Sequence, residues 1–197
     1  MEPINFCLAN EDYNVYQFDM RSLDQALMIH KDHTAAVMDV AYSPSGREFV
    51  TASYDRTVRI FKCREGHSRD IYHTKRMQRV FTVNYSSDSQ FVISGSDDMN
   101  LRIWKAEASA HVGVQNSRAE RKEKLDKALK KRYAHMPEIK RIHRDKPIPK
   151  SIKKARDLQH EQKISVSRKR DNRKRHSKPG SMEMVPEKKR QVIKEFE

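Results

Sequence analysis

The sequence predicts a mainly β fold, consisting of about two and a half blades of a β-propeller over residues 1–105 and a basic, largely α-helical tail over residues 106–197. Three observations predict it. The first half of the chain repeats with a period of 42 to 43 residues. Its apolar residues alternate as they do in half-buried strands. The second half is strongly basic and carries almost no strand-like sequence.

The repeat consists of three segments that align with one another. They are FCLANEDYNVYQFD from Phe6, FVTASYDRTVRIFK from Phe49 and FVISGSDDMNLRIWK from Phe91. Counted from these residues, Asp12, Asp55 and Asp97 occupy the same place, and the third copy needs one inserted residue before its final aromatic. Residues 37–46 and 80–89 add an alternating strand and a turn ahead of the second and third copies. Four short strands per period of about 40 to 45 residues are typical of a propeller blade.

The repeat resembles the WD-repeat family. In that family a histidine ahead of the first strand bonds the aspartate of a tight turn, supported by a serine or threonine and a final aromatic residue. The resemblance implies a structural network of His33, Ser53, Asp55 and Phe61 in the middle copy. Arg76 stands in the place of the histidine in the next copy, so we expect that network to be missing there. A propeller closes with about 4 to 8 blades, so we expect this chain to belong to a larger ring or to complete one with another chain.

Charge is distributed unevenly along the chain. Residues 105–197 carry 29 Lys and Arg against 13 Asp and Glu, a net charge of +16, whereas residues 1–104 have a net charge of −2. This density of cations attracts phosphates through electrostatics and counterion release; a solvated linker is the alternative. Tyr133 and Phe196 are the only aromatic residues of the tail that are available for base stacking. We therefore expect the tail to recognise backbone charge and shape rather than base sequence.

Two helices are predicted in the tail. Ser117 to Glu120 has the spacing of a capping box, and apolar residues follow at helical spacing up to Pro137, namely Leu125, Leu129, Tyr133 and Met136. We expect this stripe to dock on the propeller or on a partner. The second helix is predicted from about residue 151 to about 175. Its weakly apolar side consists of Ile152, Ala155, Leu158 and Gln159.

Basic residues of the second helix and its end are the predicted contacts to RNA or a partner. They are Lys153, Lys154, Arg168, Lys169, Arg170, Arg173, Lys174, Arg175 and Lys178. The clusters at 168–175 and 188–190 also fit nuclear-import signals.

Longer stretches of sequence resemble the WD-repeat and SOF-domain-containing family, the Sof-type component of the small-subunit processome. They are NEDYNVYQFDMR, YSPSGREFVTASYD, RDIYHTKRMQ, PKSI and RHSKPGS, and the resemblance covers essentially the whole chain. It implies a non-enzymatic scaffold of ribosome biogenesis in the nucleus and nucleolus, which supports pre-rRNA processing and small ribosomal subunit assembly. The implied partners are pre-ribosomal RNA, a small nucleolar ribonucleoprotein and processome proteins.

A short motif suggests a second function. Phe18-Asp19-Met20-Arg21 resembles the [W/F]DxR box that substrate receptors of cullin-4 ubiquitin ligases present to their adaptor. The resemblance implies that Asp19 and Arg21 bind the adaptor. An ordinary strand end with a local Asp–Arg pair is the alternative.

Signatures of catalysis are missing from the sequence. The five glycines do not cluster into a phosphate-binding loop, and no HExxH motif or Cys/His cluster offers metal ligands. His143-Arg144-Asp145 lacks the asparagine that a kinase catalytic loop places five residues after its aspartate. We expect no enzyme activity, no cofactor, no metal and no small-molecule substrate. No apolar run approaches the roughly 18 residues of a membrane helix, so no membrane partner is expected, and Cys7 and Cys63 are predicted to be buried thiols.

Overall fold

A computed structural model describes residues 4–145 and 147–190, without the side chains of His143 and Arg144. Strands form the first half of this range and helices the second. The strands are β1 (Asn5–Ala9), β2 (Asn14–Asp19), β3 (Met28–Lys31), β4 (Val37–Tyr42), β5 (Glu48–Ser53), β6 (Val58–Lys62), β7 (Ser68–Tyr72), β8 (Val80–Tyr85), β9 (Phe91–Ser96) and β10 (Leu101–Lys105). The helices are α1 (Ser117–Arg132), α2 (Pro137–Arg144) and α3 (Lys150–His176), followed by a 3-10 turn at Glu187–Lys189.

The strands assemble into three antiparallel sheets that correspond to the three copies of the repeat. The middle sheet has four strands in the order β4-β5-β6-β7, and the flanking sheets have three each, β1-β2-β3 and β8-β9-β10. Neighbouring strands in the sequence pair in every sheet, as the blades of a propeller require. The predicted mainly β fold with a partial propeller is confirmed.

The alignment of the third copy is wrong by one residue. The cross-strand pairs that close the three equivalent turns are Ala9–Val15, Ala52–Val58 and Gly95–Leu101. Asp12, Asp55 and Asp98, rather than Asp97, lie three residues after the first member of each pair. Each precedes a residue with positive φ: Tyr13, Arg56 and Met99, at 73°, 65° and 60°. The third copy therefore needs no inserted residue, and Val92 takes the place of Phe49.

Apolar side chains hold the three sheets face to face. One cluster joins the middle and third sheets, and its members include Val50, Ile60, Val80 and Val92, which are fully buried. A second cluster joins the first and middle sheets through Val15, Val37, Phe49 and Phe61. Cys7 and Cys63 pack against this second cluster, but they are half-buried rather than buried.

The helices divide between two compact units. Residues 107–147, with α1 and α2, form one unit, whereas α3 and the residues after it belong to the unit of the sheets. The helix predicted at about 151–175 is confirmed as α3. The capping box is wrong: α1 has Asn116 as its N-cap without a side-chain hydrogen bond, and Glu120 bonds Lys124 instead. The division into domains 1–105 and 106–197 stays a prediction.

Candidate nucleic-acid interface

A buried hydrogen-bond network lies at one end of the middle blade. His33 Nδ1 is 2.9 Å from Asp55 Oδ2, and His33 Nε2 is 2.7 Å from Thr51 Oγ1. The ring of Phe61 lies 6.1 Å from that of His33, centroid to centroid. The Ser53 hydroxyl has other partners: it donates to the carbonyl of Ala36 at 2.9 Å and accepts the Asp55 N–H. Thr51, which the sequence analysis missed, is therefore the hydroxyl partner of His33.

Burial and local contacts together determine the charges of His33 and Asp55. Burial alone would raise the pKa of Asp55, but contacts with His33, Arg59 and Thr57 lower that pKa to about 2. Burial lowers the pKa of His33, so a neutral ring donates its Nδ1–H to an ionised carboxylate. Arg59, only 1% exposed, lies 4.0 Å from Asp55 and 3.8 Å from Asp32. These groups are too enclosed to meet a ligand, and they stabilise the blade on which α3 lies.

The first half of α3 packs on the blades. Ile152, 5% exposed, is the one buried residue of the helix, and Gln159 Nε2 donates to the carbonyl of Thr34 at 3.2 Å. Ala155, one turn after Ile152, is half-buried. Leu158, which the sequence analysis placed on the same side, is 56% exposed. The buried stripe of an amphipathic helix is thus narrower here than the sequence indicates.

The chain after α3 returns to the first blade. The Ala26 N–H donates to the carbonyl of Lys188 at 3.0 Å, and Lys188 Nζ donates to the carbonyl of Leu27 at 2.9 Å. Glu187 forms an ion pair with Lys31. Residues 160–186 therefore lie between one anchor at Thr34, in the connection from the first to the middle blade, and a second anchor on the first blade.

The basic residues predicted to bind RNA lie mostly between these anchors, and all but one of them are exposed. The exposed ones are Lys153, Lys154, Arg168, Lys169, Arg173, Lys174, Arg175 and Lys178. Arg170 is the exception: it is half-buried, and its Nε is enclosed without a hydrogen-bond partner among the described residues. Residues 164–176 contain six Lys and Arg against a single acid, Asp171. This segment presents an exposed, positively charged surface that suits phosphate.

The box predicted to bind a ligase adaptor lies at the end of β2. The Arg21 N–H donates to Asp19 Oδ1 at 2.9 Å, and Arg21 Nε is 3.4 Å from the same oxygen. The Arg21 side chain is 72% exposed, and Met20 and Leu23 beside it are exposed as well. The aspartate thus orients an arginine that is open to a partner.

An apolar stripe lies on the unit of residues 107–147. The stripe of Leu125, Leu129, Tyr133 and Met136 is exposed within its own unit, and its docking stays a prediction. Among residues 4–145 and 147–190, no helix is long and apolar enough to span a bilayer. In the same part of the chain, His, Cys, Asp and Glu side chains form no group of three or more that could hold a metal ion.

Comparison with known proteins identifies both halves of the chain. A family model described as "Sof1-like domain" matches residues 106–192, and one described as "WD domain, G-beta repeat" matches residues 25–62 and 65–105. The chain is similar to DDB1- and CUL4-associated factor 13 of Danio rerio, with 47% identity over 197 residues that cover 100% of this chain and 44% of the relative. It is similar to Protein SOF1 of Saccharomyces cerevisiae, with 49% identity over 193 residues that cover 98% of this chain and 39% of the relative. DDB1- and CUL4-associated factor 13 of Homo sapiens is 50% identical over 172 residues, which are 87% of this chain and 39% of that protein.

The chain thus spans less than half the length of the curated relatives it matches. Within that span, a WD-repeat match covers the second and third blades, and the Sof1-like match covers the basic segment almost to its end. The chain belongs to the family of WD-repeat proteins that carry a Sof1-like domain.

Proposed function

We propose that this chain is a non-enzymatic scaffold of ribosome biogenesis, which supports pre-rRNA processing and small ribosomal subunit assembly within the small-subunit processome. The similarity to Protein SOF1 and the Sof1-like match over the basic segment support this function. The proposed partners are pre-ribosomal RNA, a small nucleolar ribonucleoprotein and processome proteins, and the proposed location is the nucleus, within it the nucleolus.

The exposed cations of α3 are the observation that carries the proposal. Gln159 bonds the first half of the helix to Thr34, and Ile152 in the same half is buried, so the helix is tied to the propeller rather than free. Asp171 is the only acid of residues 164–176, so the positive charge there is hardly neutralised from within. Lys and Arg side chains held in this way displace counterions from a phosphate backbone.

Backbone recognition also agrees with the composition of this segment. Residues 150–190 contain no Phe, Tyr or Trp, and base stacking on aromatic rings is the usual way in which single-stranded bases are held. The blades supply faces and loops for protein partners, so the chain can hold RNA and protein together.

The test compares two triple substitutions in the full chain. One neutralises exposed α3 cations, with Lys169→Gln, Arg173→Gln and Arg175→Gln, and the control neutralises exposed blade cations, with Arg47→Gln, Lys75→Gln and Arg76→Gln. Affinity for a pre-ribosomal RNA fragment is measured over a range of salt concentrations. The α3 variant should lose up to about one unit of salt slope for each phosphate contact removed, while the control keeps the slope of the unmodified chain. Equal slopes for the two variants would contradict the proposal.

A second candidate function is that of a substrate receptor of a cullin-4 ubiquitin ligase. Arg21, exposed and oriented by Asp19, favours it, as does similarity to relatives named DDB1- and CUL4-associated factor 13. Arg21→Ala should abolish capture of the ligase adaptor in a pull-down and leave RNA affinity unchanged. Capture that is insensitive to this substitution would exclude the second function.

A further inference from the structure

We infer that the last turns of α3 insert into a phosphate-lined groove of double-helical RNA that is widened by a bulge or an internal loop. The inference rests on the proposed function, because it takes RNA as the partner and names the kind of RNA. It follows from where the cations lie around the helix and from what covers the rest of its surface.

The exposed cations surround most of the helix. They are Arg168, Lys169, Arg173, Lys174 and Arg175. At about 100° per residue, their positions span an arc of about 260° of the helix circumference. A helix that lies on a flat phosphate surface uses less than half of its circumference. An arc of this width places cations on two opposite sides, which suits a partner that carries phosphates on both sides of the helix.

The remaining sector of the helix is covered by the chain itself. Arg170 and Ser177 are half-buried, and they continue the stripe that begins with Ile152 and Gln159. Arg170 belongs to the same basic cluster, but its enclosed Nε separates it from the exposed arc. The structure thus distinguishes one arginine of the cluster from its neighbours by position rather than by charge.

The diameter of the helix limits which nucleic-acid grooves it can enter. An α-helix with its side chains is about 10–12 Å across, whereas the major groove of regular A-form RNA is deep and narrow. Entry therefore needs a groove that a bulge or an internal loop has opened. Single strands are disfavoured because residues 150–190 offer no aromatic platform. The B-form major groove is about 12 Å wide and admits a helix, so DNA has to be included in the test.

The experiment uses the full chain and four labelled probes: a perfect RNA duplex, the same duplex with a central bulge, a single RNA strand of the same composition and a DNA duplex. Two double variants remove charge from the two sides of the exposed arc, Lys169→Gln with Arg173→Gln and Lys174→Gln with Arg175→Gln. Arg170→Gln is the matched single control. Far-UV circular dichroism checks that each variant keeps its helix.

The bulged duplex should bind most tightly. Each double variant should lower its salt slope by about 2, and Arg170→Gln should lower the slope by much less than 1. If only one double variant changed the slope, or if another probe bound as tightly as the bulged duplex, groove insertion would be wrong while RNA binding remained. Failure of every RNA probe to bind would refute the inference together with the proposed function.

Discussion

Replacing Asp55 by alanine should destabilise the blades by about 3–5 kcal/mol, the cost of removing one partner from a buried charge pair. The Asp55 side chain is 1% exposed and accepts hydrogen bonds from His33 at 2.9 Å and from the Thr57 N–H at 2.9 Å. Without the carboxylate, Arg59 retains Asp32, 3.8 Å away, as a counter-charge. Each buried donor that loses its acceptor lowers the free energy of unfolding by about 1–3 kcal/mol. Losing several such hydrogen bonds agrees with the upper part of the destabilisation given above.

Denaturant unfolding of the full chain measures this loss. Trp104, the only tryptophan, packs against the cluster that joins the middle and third sheets, so its fluorescence reports on the unfolding of both. Asp97→Ala is the control because Asp97 is exposed, and its free energy of unfolding should change by at most about 0.5 kcal/mol. Similar losses for the two variants would refute the idea that the buried network stabilises the blade.

Three further predictions concern stability and reactivity. Ile152→Ala should lower the free energy of unfolding by about 2–4 kcal/mol, whereas Leu158→Ala, at an exposed position, should lower it by less than about 0.5 kcal/mol. Burial lowers the pKa of His30 to about 4, so the unfolded chain binds more protons between pH 6.5 and pH 4. Stability should therefore fall by up to about 3 kcal/mol as the pH falls through this window. Unfolding measured at pH 7 and pH 4 should show a smaller loss of stability in His30→Leu than in the exposed control His160→Gln. Burial raises the pKa of Cys7 to about 12, so mass spectrometry at pH 8 should detect alkylation of this thiol only after unfolding.

Each of these predictions has an outcome that would contradict it. Equal losses for the two α3 variants would mean that Ile152 does not anchor the helix. An unchanged pH dependence in His30→Leu would assign the acid sensitivity to other groups. Rapid alkylation of Cys7 in the folded chain would show that the thiol is more accessible than the structure indicates.

Local pattern predicts the architecture but not the register of the third repeat. Alternation and the 42- to 43-residue period identify the strands because both depend on which face of a sheet is buried. Phe91 and Val92 are both apolar. An alignment that matches aromatic residues pairs Phe91 with Phe49, although Val92 is the equivalent residue. The pairing of Gly95 with Leu101 shows the correct alignment, and cross-strand pairing cannot be read from one strand alone.

The missed site residues share a physical reason. Thr51 and Ser53 are hydroxyl residues on the same side of β5, so sequence does not decide which of them meets His33. Arg59 looks like a solvent-facing residue of a strand, and its burial depends on Asp32, which is 27 positions away. Arg170 is indistinguishable from its basic neighbours until the helix stripe it continues is known.

We propose above all that α3 neutralises phosphates of pre-ribosomal RNA. Ultraviolet cross-linking of the tagged chain in nuclear extract, with sequencing of the RNA and mapping of the cross-linked peptides, tests it most directly. We predict that pre-ribosomal RNA is recovered and that the cross-links fall within residues 164–178. Cross-links to acidic proteins alone, with no RNA on this segment, would contradict the claim.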